Sequence, residues 1–326
     1  MTRPYFIDWA ITNKCNLNCE FCTGLSKNEL STEEALKLSH EIISLKPDWI
    51  ILEGGEPFLR KDLKEILKVL SKCKIYIITN GNIEIDIDIL KEFNVRVLFS
   101  FDGPDEKTYK EIKGGDFKKV MENMEICSRE KILHGVTAIL SKKNLGKIKE
   151  FFEILNSFQK PIFLIFIPLK PSKNYEYYKE NSLSKEEQKE AIKEIFEYSS
   201  KYNIYTYYDE PFLWLYENIE KRESGVTVSE HKGCVAGKTI YIQANGEVNY
   251  CMFSPSEISL GNVTEKSLKE IWQEILNSKL LKEFKNKEMR KGKCGNCEYF
   301  EICFGCLSRI FKIYNTHLES DPSCPL

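Results

Sequence analysis

The 326-residue sequence predicts an α/β fold built on a parallel sheet, followed by a small cysteine-rich α+β domain. Two observations carry this prediction. Over the first two-thirds, short apolar runs alternate with amphipathic helical patterns across short connections, which implies parallel strands and right-handed crossovers. Between residues 234 and 326 the alternation stops, and seven of the twelve cysteines gather around an Asn-Gly hairpin signal.

Phe6–Ile11 reads as a first strand running into a cysteine loop. Glu33–Leu45 has helical spacing. Asp48–Leu52 is strand-like and ends in Glu53, Gly54, Gly55, Glu56 and Pro57. Asp62–Leu70 is helical, Lys74–Thr79 is a strand ending in Asn80 and Gly81, and Val95–Phe101 is a strand ending in Asp102, Gly103 and Pro104. Phe117–Arg129 is helical, Val136–Leu140 a strand, Leu145–Leu155 a helix and Ile162–Ile167 a sixth strand. Ser184–Tyr202 is a long helix with Ser184 as its N-cap. Chemistry-capable residues cluster just after the strands, where parallel sheets bind ligands.

Residues 1–208 form this first unit, 209–233 a polar linker that includes an amphipathic stretch to Arg222, and 234–326 the second unit. In the latter, Lys238–Gln243 and Glu247–Cys251 flank Ala244, Asn245 and Gly246 as a hairpin. Ile258–Val263 and a helix through Leu268–Leu280 lead to the last five cysteines.

The composition is that of an ordinary soluble globular protein, 42% hydrophobic and 29% charged. A formal net charge of −2 gives no basic field for nucleic acid. No apolar run reaches the roughly 18–20 residues of a membrane span. The first eight residues lack a signal peptide's apolar core. Twelve cysteines without a secretion signal imply metal ligation in a reducing, cytoplasmic compartment rather than disulfides.

Cys15, Cys19 and Cys22 follow the first strand with Cys-x3-Cys-x2-Cys spacing, and Phe21 precedes the last of them. Three thiolates on one short loop leave a fourth coordination position open, unlike a closed zinc or electron-transfer site. The motif resembles the signature of radical S-adenosylmethionine (SAM) enzymes. Their fold, a partial (β/α)6 TIM-like barrel, matches the element order here over residues 5–205. The resemblance implies a [4Fe–4S] cluster whose open iron chelates SAM. It also implies SAM contacts from Gly54, Gly55, Glu56 and Pro57, which are similar to the family's GGEP segment. Phe21 resembles the aromatic near the adenine, and Ser100 with Asp102 resembles a fourth-strand Ser-x-Asp-Gly segment. Asn80 and Asn144, ending the third and fifth strands, are further polar contacts. Relatives often carry Arg where Lys113 precedes Gly114 and Gly115, and lysine lacks the bidentate fork.

The carboxy-terminal cysteines have the spacing Cys-x11-Gly-x4-Cys, then Cys-x2-Cys-x5-Cys-x2-Cys, then Cys324. This series resembles the SPASM domain, an accessory module that holds auxiliary [4Fe–4S] clusters. The resemblance implies two: Cys294, Cys297, Cys303 and Cys324 on one, and Cys234, Cys251 and Cys306 on the other. The fourth ligand of the second is unassigned, with His231 the neighbouring candidate. The last pair, Cys303 and Cys306, is one residue closer than the family's usual Cys-x3-Cys. A zinc ribbon on Cys294, Cys297, Cys303 and Cys306 is the alternative. Cys73 and Cys127 read as structural thiols.

The resemblance implies a radical SAM oxidoreductase, supplied with electrons by a low-potential donor such as ferredoxin or flavodoxin. SAM would be cleaved to a 5′-deoxyadenosyl radical, which abstracts hydrogen from the substrate. Oxidative modification of a peptide or protein is the first expectation. Tetrapyrrole side-chain modification and a non-catalytic metal-binding adaptor are the alternatives. With the cysteine motif beginning at Cys15, no amino-terminal peptide-recognition domain is expected. Sulfatase-maturing relatives carry Asp where this chain has Met252.

Overall fold

The computed structural model describes residues 3–23, 28–212 and 233–326. His231 and all but the ends of the 209–233 linker lie outside the described residues.

Seven parallel strands form most of the sheet: β1 (Phe6–Thr12), β2 (Trp49–Gly54), β3 (Ile75–Thr79), β4 (Arg96–Ser100), β5 (Leu133–Leu140), β6 (Phe163–Pro168) and β7 (Tyr205–Tyr208). The helices between them are α1 (Thr32–Leu45), α2 (Leu63–Leu70), α3 (Ile87–Glu92), α4 (Glu106–Lys113), α5 (Phe117–Arg129), α6 (Ile148–Leu155), α7 (Tyr175–Asn181) and α8 (Lys185–Tyr202). Ser184 caps α8 as expected, in a reciprocal box with Glu187, and Ser31 caps α1 in the same way with Glu34.

The six expected strands are all present, and a seventh was missed. β7 is a four-residue run of Tyr205, Thr206, Tyr207 and Tyr208, too short and too polar to stand out behind α8. Helices α3, α4 and α7 were missed for a related reason: six to eight residues hold barely two turns of periodicity.

The expected hairpin is β8 (Ile240–Ile242) and β9 (Val248–Asn249). It does not stand apart from the first unit. β8 pairs parallel with β1, so the sheet order is β7-β6-β5-β4-β3-β2-β1-β8-β9. The expected Leu268–Leu280 helix breaks at Ser278, whose backbone leaves the helix and whose hydroxyl accepts from Leu281 N at 3.3 Å. It becomes α9 (Leu268–Asn277) and α10 (Lys279–Phe284). Short helices α11 (Gly292–Asn296), α12 (Phe300–Cys303) and α13 (Leu307–Tyr314) follow.

The alternation of each strand sorts its side chains by face. Ile7, Trp9, Ile11, Ile50, Leu52, Ile240 and Ile242 are fully buried in the one large apolar core. Asp8, Ala10, Thr12, Ile51, Glu53 and Tyr241 alternate with them and turn to the opposite face, the lumen of the partial barrel. Fully burying each large aliphatic side chain stabilises the fold by about 1.5–3 kcal/mol. Hydrophobic burial thus sets the strand register and, through it, the polar residues of the lumen.

Candidate active site

The loop after β1 carries Cys15, Cys19 and Cys22, and the strand ends around it hold it in place. Gly55 N donates to Thr12 O at 2.8 Å, and Glu56 N to Lys14 O at 2.7 Å. A Cβ on Gly54 would lie 2.4 Å from Thr12 O, and one on Gly55 2.1 Å from Lys14 O. Both glycines are therefore required by the approach of the cysteine loop itself. The Glu56 side chain is fully buried and turned to β3, accepting from Thr79 Oγ1 and Asn80 N, each at 2.8 Å. Burial against these bonds pushes its carboxyl up to about 7. Pro57 is buried at the start of a short 3₁₀ turn for which Glu56 is the cap.

Asn80 joins β3 to the loop. Its Nδ2 donates to Asn16 Oδ1 at 2.8 Å and lies 3.9 Å from Cys15 Sγ. Beneath the loop, buried Arg60 donates to the carbonyls of Ile11 and Leu30 and pairs with Asp62 at 2.8 Å. The three cysteines stand close enough to oppose one another's ionisation. Burial pushes the Cys19 thiol up to about 11 and raises that of Cys15, with Lys113 opposing at both.

Across the loop, Asp102 and Lys113 form a buried ion pair at 3.0 Å. Lys113 Nζ also donates to Ser100 Oγ at 2.9 Å and sits 5.6 Å from the centre of the Phe21 ring. Its carbonyl oxygen lies 3.8 Å from Cys19 Sγ. Burial alone would lower the Lys113 ammonium, but Asp102 and the facing thiol raise it above its ordinary value. Phe21 packs towards Tyr177 of α7, with ring centres 6.5 Å apart. Phe21, Ser100 and Asp102 are thus brought together by a lysine that the sequence marked only as a departure.

Asn144 is fully buried, and its amide is taken up by the backbone. It donates to Asp102 O and Ile139 O, each at 2.8 Å, and accepts from Ser141 N at 2.9 Å. Its geometry makes it a clamp between the end of β5 and the segment carrying Asp102.

The carboxy-terminal cysteines fall into two groups. Cys294, Cys297, Cys303 and Cys324 line one cavity of about 350 Å³ counting its open mouth, walled by Phe212 and Phe300. Cys234, Cys251 and Cys306 make up the second group: Cys234 lies within electrostatic reach of both Cys251 and Cys306, and those two both reach Lys312. Burial pushes the Cys306 thiol up to about 12. The turn between Cys303 and Cys306 separates the groups. Phe304 has φ 60° and Gly305 φ 73°, so two residues suffice to send the flanking sulfurs to different sites. This partition opposes the zinc-ribbon alternative, which needs Cys306 where Cys324 stands. Cys127 is a buried core thiol, and Cys73 packs against the same core.

The donor sets fit iron–sulfur clusters. Among the described residues no trio of His, Cys, Asp or Glu is drawn together as a single ion needs. A cluster presents its irons at separate corners, and the cavity walled by four thiols and aromatic rings suits that shape.

The second group abuts a buried charge network. Arg309 forms a bidentate pair with Glu210 at 2.6 Å and bonds Asp321 at 2.8 Å, all three nearly inaccessible. Asp321 in turn accepts from Cys306 N at 2.7 Å. Lys170 pairs with Asp209 at 2.9 Å beside it. Among the described residues no helix is long and apolar enough to cross a membrane.

Residues 9–155 match the family model described as the Radical SAM superfamily, and residues 234–298 the SPASM model, an iron–sulfur cluster-binding domain. The sequence is 27% identical to the AdoMet-dependent heme synthase of Methanosarcina barkeri, over 98% of this chain and 96% of that protein. It is 28% identical to the Fe-coproporphyrin III synthase of the same organism, over 98% of this chain and 87% of that protein. The fold is similar to that of Streptococcus suis SuiB bound to its precursor peptide SuiA, with a TM-score of 0.81 and 17% identity over 100% of this chain and 77% of SuiB.

Proposed function

Because this chain belongs to the radical SAM superfamily and carries a SPASM iron–sulfur domain, we propose that it is an oxidoreductase that modifies a side chain of a tetrapyrrole. The observation that carries the substrate class is end-to-end similarity to proteins named for haem and Fe-coproporphyrin III, both iron tetrapyrroles. The family's [4Fe–4S] cluster and SAM supply a 5′-deoxyadenosyl radical, and the SPASM domain adds further clusters.

The chain's own residues do the rest. Cys15, Cys19 and Cys22 hold the first cluster. Ser100, Asp102 and Lys113 offer a charged and hydrogen-bonding rim to SAM, and the backbone of Gly54–Pro57 borders it. Phe21 and Tyr177 wall this rim against water. Cys294, Cys297, Cys303 and Cys324 hold one auxiliary cluster, and Cys234, Cys251 and Cys306 contribute to another. Either is suited to take up the electron that an oxidation leaves behind. A ferredoxin or flavodoxin in the reducing cytoplasm would supply the initiating electron.

Peptide modification is the second reading, supported by the whole-chain fold likeness to the peptide-bound SuiB complex. One assay separates the two. Anaerobically reconstituted protein is given SAM, dithionite and Fe-coproporphyrin III, and the porphyrin mass is followed beside 5′-deoxyadenosine. A porphyrin mass change that depends on SAM is expected. An unchanged porphyrin with continuing SAM cleavage would reject Fe-coproporphyrin III as the substrate.

A further inference from the structure

We propose that Asp8, Glu53, Tyr241 and Asn249 form a substrate-anchoring seat in the lumen wall, one that accepts hydrogen bonds from an N–H or O–H group of the substrate. The four residues come from four neighbouring strands. Asp8 of β1 is in register with Tyr241 of β8, and Tyr241 with Asn249 of β9. Glu53 lies two residues beyond Ile51, the β2 partner of Asp8. Residues in register share a face, and so do residues two apart on a strand, so all four face one way.

They are at least nine-tenths buried, with Asn249 only 1% exposed. Yet among the described residues Asp8 Oδ1 has no hydrogen-bond partner, and neither has Oδ1 or Nδ2 of Asn249. Buried polar atoms in folded proteins are nearly always paired, and leaving one bare costs about 1–3 kcal/mol. Asn249 is neutral, so this signal is independent of the acidic pair.

The charge points the same way. Burial first, then Glu53 and Cys251, raises the Asp8 carboxyl well above its ordinary value. Burial pushes Glu53 up to about 7, against a hydrogen bond from Tyr241. Two unpartnered acceptors, Asp8 Oδ1 and Asn249 Oδ1, are complementary to a ligand that brings a donor. Its position suits a substrate: Tyr241 lies within electrostatic reach of Cys22, and Asp8 of Cys251. The seat therefore stands between the SAM-cleaving loop and an auxiliary cluster site.

The choice of probe rests on the tetrapyrrole reading. There the donor is either a ring N–H, present only in a metal-free macrocycle, or a protonated side-chain carboxyl. Cluster-loaded wild type, Asp8→Asn and Glu53→Gln are titrated at pH 8 with metal-free coproporphyrin III and with Fe-coproporphyrin III, following porphyrin absorbance. Thermal unfolding is recorded in parallel without porphyrin. We expect Asp8→Asn to raise Tm, because an ionisable group no longer has to be buried bare, and to weaken porphyrin binding about tenfold. Loss confined to the metal-free probe identifies the ring N–H as donor, and loss with both identifies the side-chain carboxyl. Should wild type bind neither porphyrin while Asp8→Asn still raises Tm, the tetrapyrrole reading fails and the seat stands for another donor-bearing substrate. A lowered Tm in both variants, or unchanged affinity in both for a porphyrin that wild type binds, overturns the seat.

Discussion

Lys113 does three things at once. It neutralises buried Asp102 at 3.0 Å, donates to Ser100, and presents its carbonyl to Cys19. Removing one partner of a buried ion pair leaves the other uncompensated and typically costs about 3–5 kcal/mol. Lys113→Met is therefore expected to lower Tm by many degrees and to weaken SAM binding. Lys113→Arg, which keeps the charge, should recover most of both. Calorimetry and SAM titration of the two variants check this, and a stable Lys113→Met protein with unaltered SAM affinity would remove Lys113 from the site. The residue scale also shows what a linear reading misses. Cys15, Cys19 and Cys22 were legible as one group because they sit on one loop with a recognisable spacing. Asp8, Glu53, Tyr241 and Asn249 were not, because only strand pairing joins residues so distant in sequence. The clamp made by Asn144 was not legible either, because sequence does not tell a solvent-facing amide from one bonded to backbone carbonyls.

At the scale of elements, long amphipathic helices and apolar strands were legible and short polar ones were not. α1, α5 and α8 end within a residue or so of their expected limits, whereas β7 and α7 escaped notice. Yet α7 carries Tyr177 to Phe21, so a missed element shapes the site. The Cys303–Cys306 turn is the sharper case. A Cys-x2-Cys spacing in place of Cys-x3-Cys is accommodated by two successive positive φ values, one on a phenylalanine. Gly305 cannot gain a side chain cheaply. Its φ is 73°, and a Cβ would lie 2.9 Å from Cβ of Asp321. Gly305→Ala costs about 1–2 kcal/mol in backbone conformation alone. It should displace Cys303 and Cys306 together, so iron is lost from both auxiliary sites while the first cluster remains. Iron analysis with SAM-cleavage assays reads this directly. Full iron content in the variant would show that the turn does not govern the partition.

On the scale of the whole molecule, the two cysteine-bearing units share one sheet and one buried charge network. β8 extends the sheet from β1, and Arg309 of α13 ties Glu210, just past β7, to Asp321 beside Cys306. A boundary drawn from composition at residues 209–233 reflects where the cysteine pattern changes, and is blind to a strand that crosses back to the first unit. This continuity holds the auxiliary sites at a fixed place relative to the lumen, as the proposed electron transfer from a substrate radical would require. The proposed function divides the labour: the loop on Cys15, Cys19 and Cys22 would cleave SAM, and the carboxy-terminal cysteines would hold separate clusters. Replacing Cys15, Cys19 and Cys22 together by Ala, with anaerobic reconstitution and parallel assay of iron and 5′-deoxyadenosine, tests it most directly. The expected result is no 5′-deoxyadenosine and a fall from roughly twelve to roughly eight irons per chain. Undiminished SAM cleavage in that variant, or the loss of all its iron while it stays folded, would contradict it.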